Sequence, residues 1–237
     1  MAIGAAAFAA FIGSAALPAQ DLGAAEIVAR MDASMNFDEC RMNIVIDDVK
    51  PDGKTRSLEA AVEYKKGTGT RIEFLAPARE KGKRILMTGS STWMASPAVS
   101  KPVRLSGKDS FMGTSFTNDD VMNLDKGDDY ASIIESSSAS SWTIVMTALK
   151  SDLPYPKLVA VVGKDFLPIE MTYFARSGKE SKRVSFSEPK AYGTKRRPSK
   201  MTIVDLMKPG DSSCVTFVSI DEGAIDASRF TPASIGY

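Results

Sequence analysis

The chain has 237 residues, 43% of them hydrophobic and 25% charged, a globular composition far from the charge-rich, apolar-poor signature of disorder. Thirty Lys and Arg against 29 Asp and Glu leave a formal net charge of +1, so no global field recruits nucleic acid. With no histidine and only two cysteines, the chain has no Ser-His-Asp or Cys-His nucleophile, no imidazole-dependent metal site and no thiolate zinc or iron–sulfur site.

Residues Met1 to Ala19 carry no charged side chain and are rich in Ala, Phe and Ile. The run Ile3–Leu17 has the length of a signal-peptide apolar core, and Pro18-Ala19 resembles a small-residue cleavage site. Residues 1–19 are therefore expected to be an export signal and 20–237 one large domain. A membrane anchor is the competing reading, weakened by the low apolarity of Ala and by the lack of a cationic stop before Arg30. In an oxidising compartment Cys40 and Cys214 could pair, but their spacing leaves a disulfide and two separate buried thiols both open. The pattern places Cys40 before the first strand and Cys214 in the penultimate one.

From Asp21 the periodicity is helical: Ala24, Val28, Met31 and Met35 recur on one stripe with Ile27 beside them, and Asp21 is the expected N-cap. After Cys40 the period becomes two. Leu58, Ala60, Val62 and Tyr64 alternate with charged neighbours, as do Ile72 and Phe74. Further strands are expected at Arg84–Thr88, Thr92–Ala95, Ser141–Leu149, Lys157–Gly163, Pro168–Ala175, Lys182–Ser187, Lys200–Met207 and Ser213–Ile220. The connections are short and turn-rich, for example Pro51-Asp52-Gly53 and Pro209-Gly210-Asp211. Thr117 and Asp120 form a capping-box-like start for a short helix through Leu124. The serine-rich run Glu135–Ser141 reads as a loop. Ten or so antiparallel strands without long crossovers imply a large curved sheet or barrel, an α+β domain that is mostly antiparallel β. A helix covering part of one apolar face would leave a cavity, and the twelve Met residues suit a surface that accepts variable apolar partners.

Motifs for chemistry are sparse. Gly67 and Gly69 sit in a hairpin and serve a turn, not a phosphate cradle. The acidic pairs Asp47-Asp48, Asp119-Asp120 and Asp128-Asp129 fall in turns and at a helix start, where solvated carboxylates are expected, and not in the enclosed cleft that acid–base work needs. Asp125-x-Gly127-Asp128-Asp129 fits a calcium loop only loosely. The basic runs Lys81-x-Lys83-Arg84, Lys179 with Lys182-Arg183, and Lys195-Arg196-Arg197-x-x-Lys200 are either solvated loops or contacts for anionic headgroups or an acidic partner.

An ordered set of segments resembles the LolA-like family of outer-membrane lipoprotein-sorting proteins. It comprises Phe74-Leu-Ala-Pro77 with Gly82-Lys-Arg-Ile-Leu86, Trp93 with Pro97, Arg104, and Gly113-Thr-Ser-Phe116 with Asp120-Val121. Further on, Leu167-Pro168, Tyr173, Gly178-Lys179 and Phe230-Thr231 fall where such chains carry matching segments. The resemblance implies an incomplete, half-open β-barrel of about ten to eleven strands with helices covering its concave face. It implies a non-catalytic periplasmic carrier without a cofactor that binds lipoprotein acyl chains or another lipid in an apolar cavity for transfer towards the outer membrane, working with an inner-membrane export complex as a monomer and without nucleic acid. Alternation and the matching segments together make Ile72, Phe74, Met87, Trp93, Phe111, Phe116, Met171 and Tyr173 the candidate cavity residues. The second reading is an envelope sensor or interaction module on the same fold, for which the basic loop Lys195–Lys200 would matter more than the cavity.

Overall fold

The computed structural model describes residues 22–122 and 127–236. The expected export signal, the expected N-cap Asp21, and Leu124 and Asp125 lie outside the described residues. Helix α1 (Ala24–Met35) has Gly23 at its N-cap and buries Ile27, Val28 and Met31, the stripe that its periodicity demands. An antiparallel meander follows: β1 (Glu39–Val49), β2 (Thr55–Lys65), β3 (Gly69–Ala76), β4 (Arg84–Thr88), β5 (Ser91–Ser96) and β6 (Val99–Leu105). The chain then crosses over through a single 3-10 turn at Phe111–Gly113 and the short helix α2 (Asn118–Met122). A second meander runs back: β7 (Tyr130–Ser137), β8 (Ser141–Ala148), β9 (Lys157–Gly163), β10 (Pro168–Phe174), β11 (Glu180–Tyr192), β12 (Lys195–Asp205) and β13 (Ser212–Glu222). A 3-10 turn at Ala227–Phe230 and helix α3 (Pro232–Ile235) close the described chain.

All thirteen strands form one sheet, with β1 beside β13 in its middle and β6 and β7 at its two edges. The sheet is open. Its strand count exceeds the expected ten to eleven because β1, β6 and β7 carry weak period-two signals. In β1 the run Ile44-Val45-Ile46 interrupts the alternation and Asp48 occupies an inward position. The edge strand β6 contains Pro102, which edge strands tolerate because one side of their ladder is unpaired. The serine-rich run expected to be a loop contributes Glu135–Ser137 to β7, and only the turn beyond it is irregular, with the Ser138 hydroxyl accepting from the Ser140 and Ser141 amides.

One face of the sheet holds two apolar clusters. The first gathers Ile44, Ile46, Leu58, Val62, Ile72, Phe74 and Ile85 with Phe111 and Phe116 of the crossover. The second sets Ile27, Val28 and Met31 of α1 on Ile144, Met146, Leu158, Ala160 and Met171. Helix α1 and the crossover therefore each cover part of this face. Helix α3 does not: with Phe230 it packs on Leu86 and Ala95, which point to the opposite face because Leu86 alternates with Ile85 and Met87. On that side Glu63 accepts from Arg71 at 3.2 Å and from Arg229 at 2.8 Å, tying the C-terminal tail to the strands.

Two polar clasps hold the crossover down. In the first, Asp48 is 1% exposed and accepts from the Ser213 hydroxyl at 2.7 Å, with Lys50 and Arg56 at 3.3 and 3.4 Å. Those two cations also donate to the crossover itself, Lys50 to the Gly113 carbonyl and Arg56 to the Met112 carbonyl, each at 2.6 Å. The turn needs two successive left-handed residues, Met112 at φ 52 and Gly113 at φ 77, and a Cβ on Gly113 would lie 3.4 Å from the Arg56 guanidinium. In the second clasp, Thr117 and Asp120 form the reciprocal capping box expected of them, and the Asp120 carboxylate is also paired with Lys182. The Asp48 and Asp120 carboxylates are thus out of water and neutralised by cations, which corrects the expectation of solvated carboxylates for these two, whereas Asp47 and Asp128 are exposed as expected.

The register separates the cysteines. Cys40 lies within β1 opposite Glu222, and Cys214 lies in the last strand opposite Asp47. Those rungs are seven residue steps apart along β1, about 24 Å of strand, and the odd separation puts the thiols on opposite faces. Both are free, which resolves the open pairing. Cys40 is buried, and burial pushes its thiol up to about 11. Thiol titration under native conditions should therefore modify the half-buried Cys214 first, with Cys40 reacting only on unfolding; an intact mass lacking two protons would contradict this. Asp48→Ala should lower stability by about 2–4 kcal/mol in urea titration, because it leaves Arg56 without its carboxylate and a buried serine hydroxyl without its acceptor, while Lys50 keeps Asp211. Asp48→Asn, which keeps an acceptor for Ser213, should fall between the two.

Candidate functional site

Between the two apolar clusters lies a cavity of about 170 Å³. Alternate residues of seven strands build its wall: Met42, Ile44 and Ile46 on β1, Val62 and Tyr64 on β2, Thr70 and Ile72 on β3, and Met171 and Tyr173 on β10. Val184 and Phe186 on β11, Met201 and Ile203 on β12, and Val215 and Phe217 on β13 complete the strand side. Helix α1 contributes Met31 and Met35, and the crossover contributes Phe111, Phe116 and Val121. From β3 to β10 a flat sheet would measure about 29 Å, so strands that far apart touch one small space only because the sheet curls around it.

Five of the eight expected residues, Ile72, Phe111, Phe116, Met171 and Tyr173, line this cavity. Phe74 does not: it is fully buried behind the wall, its ring 6.1 Å from that of Phe111. Met87 is buried in the same cluster, also away from the lining. Trp93 faces the other way. On β5 it is the partner of Leu86 on β4, and it packs against the cluster under α3. For these three the apolar character reflects core packing, and for Trp93 the period-two reading does not say which face is concave.

The polar groups in the wall are few. The Asp120 carboxylate is paired with Lys182 and accepts from the Tyr155 hydroxyl at 2.8 Å and the Thr117 amide at 2.7 Å. Tyr155 meets Tyr173 edge-on, with centroids 4.9 Å apart. Burial first, and the Asp120 charge second, push both phenols well above the ordinary tyrosine range, so both are neutral donors. A carboxylate already holding a lysine, a phenol and an amide is a fastening and not a general base. Among the described residues no group of three or more Cys, Asp or Glu could hold a metal ion.

Arg197 also lines the cavity and was not among the expected residues. It is 6% exposed, donates from Nη1 to the Met35 carbonyl, and lies 4.2 Å over the Phe217 ring. Burial lowers its guanidinium to about 10, still charged at neutral pH. The signal was present in the alternation: Arg197 shares the face of Met201 and Ile203. Its neighbours explain the rest of the basic run. Lys195 donates to the Ala33 and Asn36 carbonyls at 3.1 and 2.6 Å, so β12 satisfies the orphan carbonyls at the C-terminus of α1. Arg196 pairs with Asp165 and Lys200 with Glu188. The run is neither a solvated loop nor a free docking patch.

Residues 66–236 match a family model described as "Uncharacterized protein". No curated protein matches the chain. A LolA superfamily protein from Nitrosomonas europaea is 22% identical, with a TM-score of 0.77 over 89% of this chain and 98% of its own. A DUF1329 family protein from Desulfovibrio piger is 19% identical, with a TM-score of 0.80 over 89% and 97%. An outer membrane lipoprotein-sorting protein domain from Vibrio parahaemolyticus is 17% identical, with a TM-score of 0.74 over 90% and 97%. The likeness lies in the fold, an open antiparallel sheet curled around an apolar face. The chain therefore belongs to the family whose model spans residues 66–236, and its fold is that of the LolA superfamily.

Proposed function

We propose that the protein is a non-catalytic periplasmic carrier that takes lipoprotein acyl chains, or another lipid, into the cavity for transfer towards the outer membrane. The observation that carries this reading is the cavity itself, a space walled by apolar side chains in the middle of a curled sheet. The name of the Vibrio domain, with its sorting of outer membrane lipoproteins, supports the same reading. Residues 1–19 would serve as the export signal and the remainder as the carrier domain, acting as a monomer that receives cargo from an inner-membrane complex. Among the described residues no helix is long and apolar enough to cross a membrane.

Each methylene moved from water into such a space contributes about 0.8 kcal/mol. A cavity of about 170 Å³ is near the ~150 Å³ that holds one benzene in an engineered core, too little for a whole acyl chain. Loading therefore requires α1 or the crossover to move outward. The competing sensor reading leaned on the basic loop Lys195–Lys200, which is spent on α1 and on local ion pairs.

Met201 is a half-buried wall residue, so Met201→Glu alters the cavity without emptying the core. It should reduce uptake of a fluorescent acyl probe by about tenfold or more, with the melting temperature held within a few degrees. Native mass spectrometry of wild-type protein exported in its own host should show a bound lipid or acylated peptide. Wild-type protein that carries nothing and takes up no acyl probe would end the carrier reading.

A further inference from the structure

Among the described residues, the buried charges on the apolar face are neutralised with one exception. Asp48 has Lys50 and Arg56, and Asp120 has Lys182. Arg197 has no carboxylate within ion-pairing distance among the described residues. The titratable groups acting on it are Tyr192 and Cys40, both neutral at pH 7. A guanidinium out of water without a counter-ion is among the costlier features a fold can keep.

The geometry of its donors is specific. Nη1 is taken by the Met35 carbonyl and the ring of Phe217 covers one face of the guanidinium. Nε is buried and has no hydrogen-bond acceptor. The Nε–Nη2 edge of arginine is the fork that pairs side-on with a carboxylate or phosphate, and here no residue supplies that partner. The protein supplies no acceptor for Nε, and Arg197 lines the cavity, so an acceptor can come with a group that enters the cavity and displaces what now covers Nε. The lining is mostly apolar, with Met42, Met201 and Phe217 among it, and its other polar residues include Asn36, Tyr64, Asp120 and Asp32, whose carboxylate accepts from the Gly127 amide at 2.8 Å.

Resting on the carrier reading, we propose that the cavity selects an anionic amphiphile, whose carboxylate or phosphate head pairs with Arg197 while its tail fills the apolar space. A neutral head of the same size could accept a hydrogen bond but would leave the charge uncompensated. Lysine in place of Arg197 would keep the charge and lose the fork.

The test uses three probes with one tail, hexadecanoate, hexadecyl phosphate and hexadecan-1-ol, each below its micelle concentration, displacing a naphthylamine dye from the exported protein. At least one of the anions should bind about tenfold or more tightly than the alcohol. Arg197→Met should abolish that preference, bringing the anions to within about twofold of the alcohol bound by the same variant, and Arg197→Lys should retain part of it. Comparing hexadecanoate with hexadecyl phosphate identifies the head. Equal binding of all three probes by wild-type protein would overturn the Arg197 assignment and leave the carrier reading standing. Failure of all three to bind would overturn both. Since Arg197→Met also removes a cap from α1, each variant is checked by circular dichroism; if Arg197→Met does not fold, the wild-type ratio of anion to alcohol decides.

Discussion

The connection between β6 and β7 joins the two edges of a thirteen-stranded sheet, so it has to cross one whole face. Laid flat, twelve strand spacings would set those edges about 58 Å apart. A crossing segment that also forms a 3-10 turn and a helix cannot be extended over such a width, and the sheet's curl brings the edges within its reach. The crossing gives the apolar face its cover. Phe111 and Phe116 supply side chains that the first cluster needs, and the polar backbone around them has to be satisfied where it passes over that cluster. The cations of the first clasp meet this need directly, one on each of the Met112 and Gly113 carbonyls.

Two covers of independent origin leave a gap between them. Helix α1 enters from the N-terminus and rests on the second meander, while the crossover rests mainly on the first. Neither brings enough apolar volume to fill the seam, which is why residues of both clusters line a single cavity. Two large side chains directed into that space would have closed it. Instead the seam is lined largely by Met, Val and Ile, with the long unbranched Met31, Met35, Met42 and Met201 at its boundary.

Much of this was legible from alternation. The strands Arg84–Thr88 and Lys157–Gly163 coincide with their expected bounds, and the capping box at Thr117 and Asp120 is formed as its spacing implies. Five cavity residues were found because period two and the family-like segments agreed on them. What escaped depends on long-range placement. Periodicity sorts β5 into two faces without saying which is concave, so Trp93 was assigned to the wrong one. Charges were read as solvated because a sequence does not show that Asp48 meets Lys50 and Arg56, or that Lys195 reaches the end of a helix far away in the chain. Arg197 was hidden by its own neighbours, three basic residues in succession suggesting a surface loop although its parity matched Met201.

The two covers differ in what it costs to lift them, and this bears on how a carrier of this shape would load. Moving the crossover would pull Met112 and Gly113 off Arg56 and Lys50 and separate Asp120 from Lys182, stranding buried charges that an acyl chain cannot satisfy. Moving α1 exposes Ile27, Val28 and Met31 and the apolar strand residues beneath them, and an incoming acyl chain restores that burial in kind. The polar ties of α1 sit at its C-terminal end, where Lys195 and Arg197 hold the last carbonyls, whereas its N-cap Gly23 makes no side-chain capping bond. A helix anchored at one end and held elsewhere by apolar contact can pivot about that anchor. On the proposed carrier function, α1 is the cover that cargo displaces, and the crossover is the part of the frame that stays.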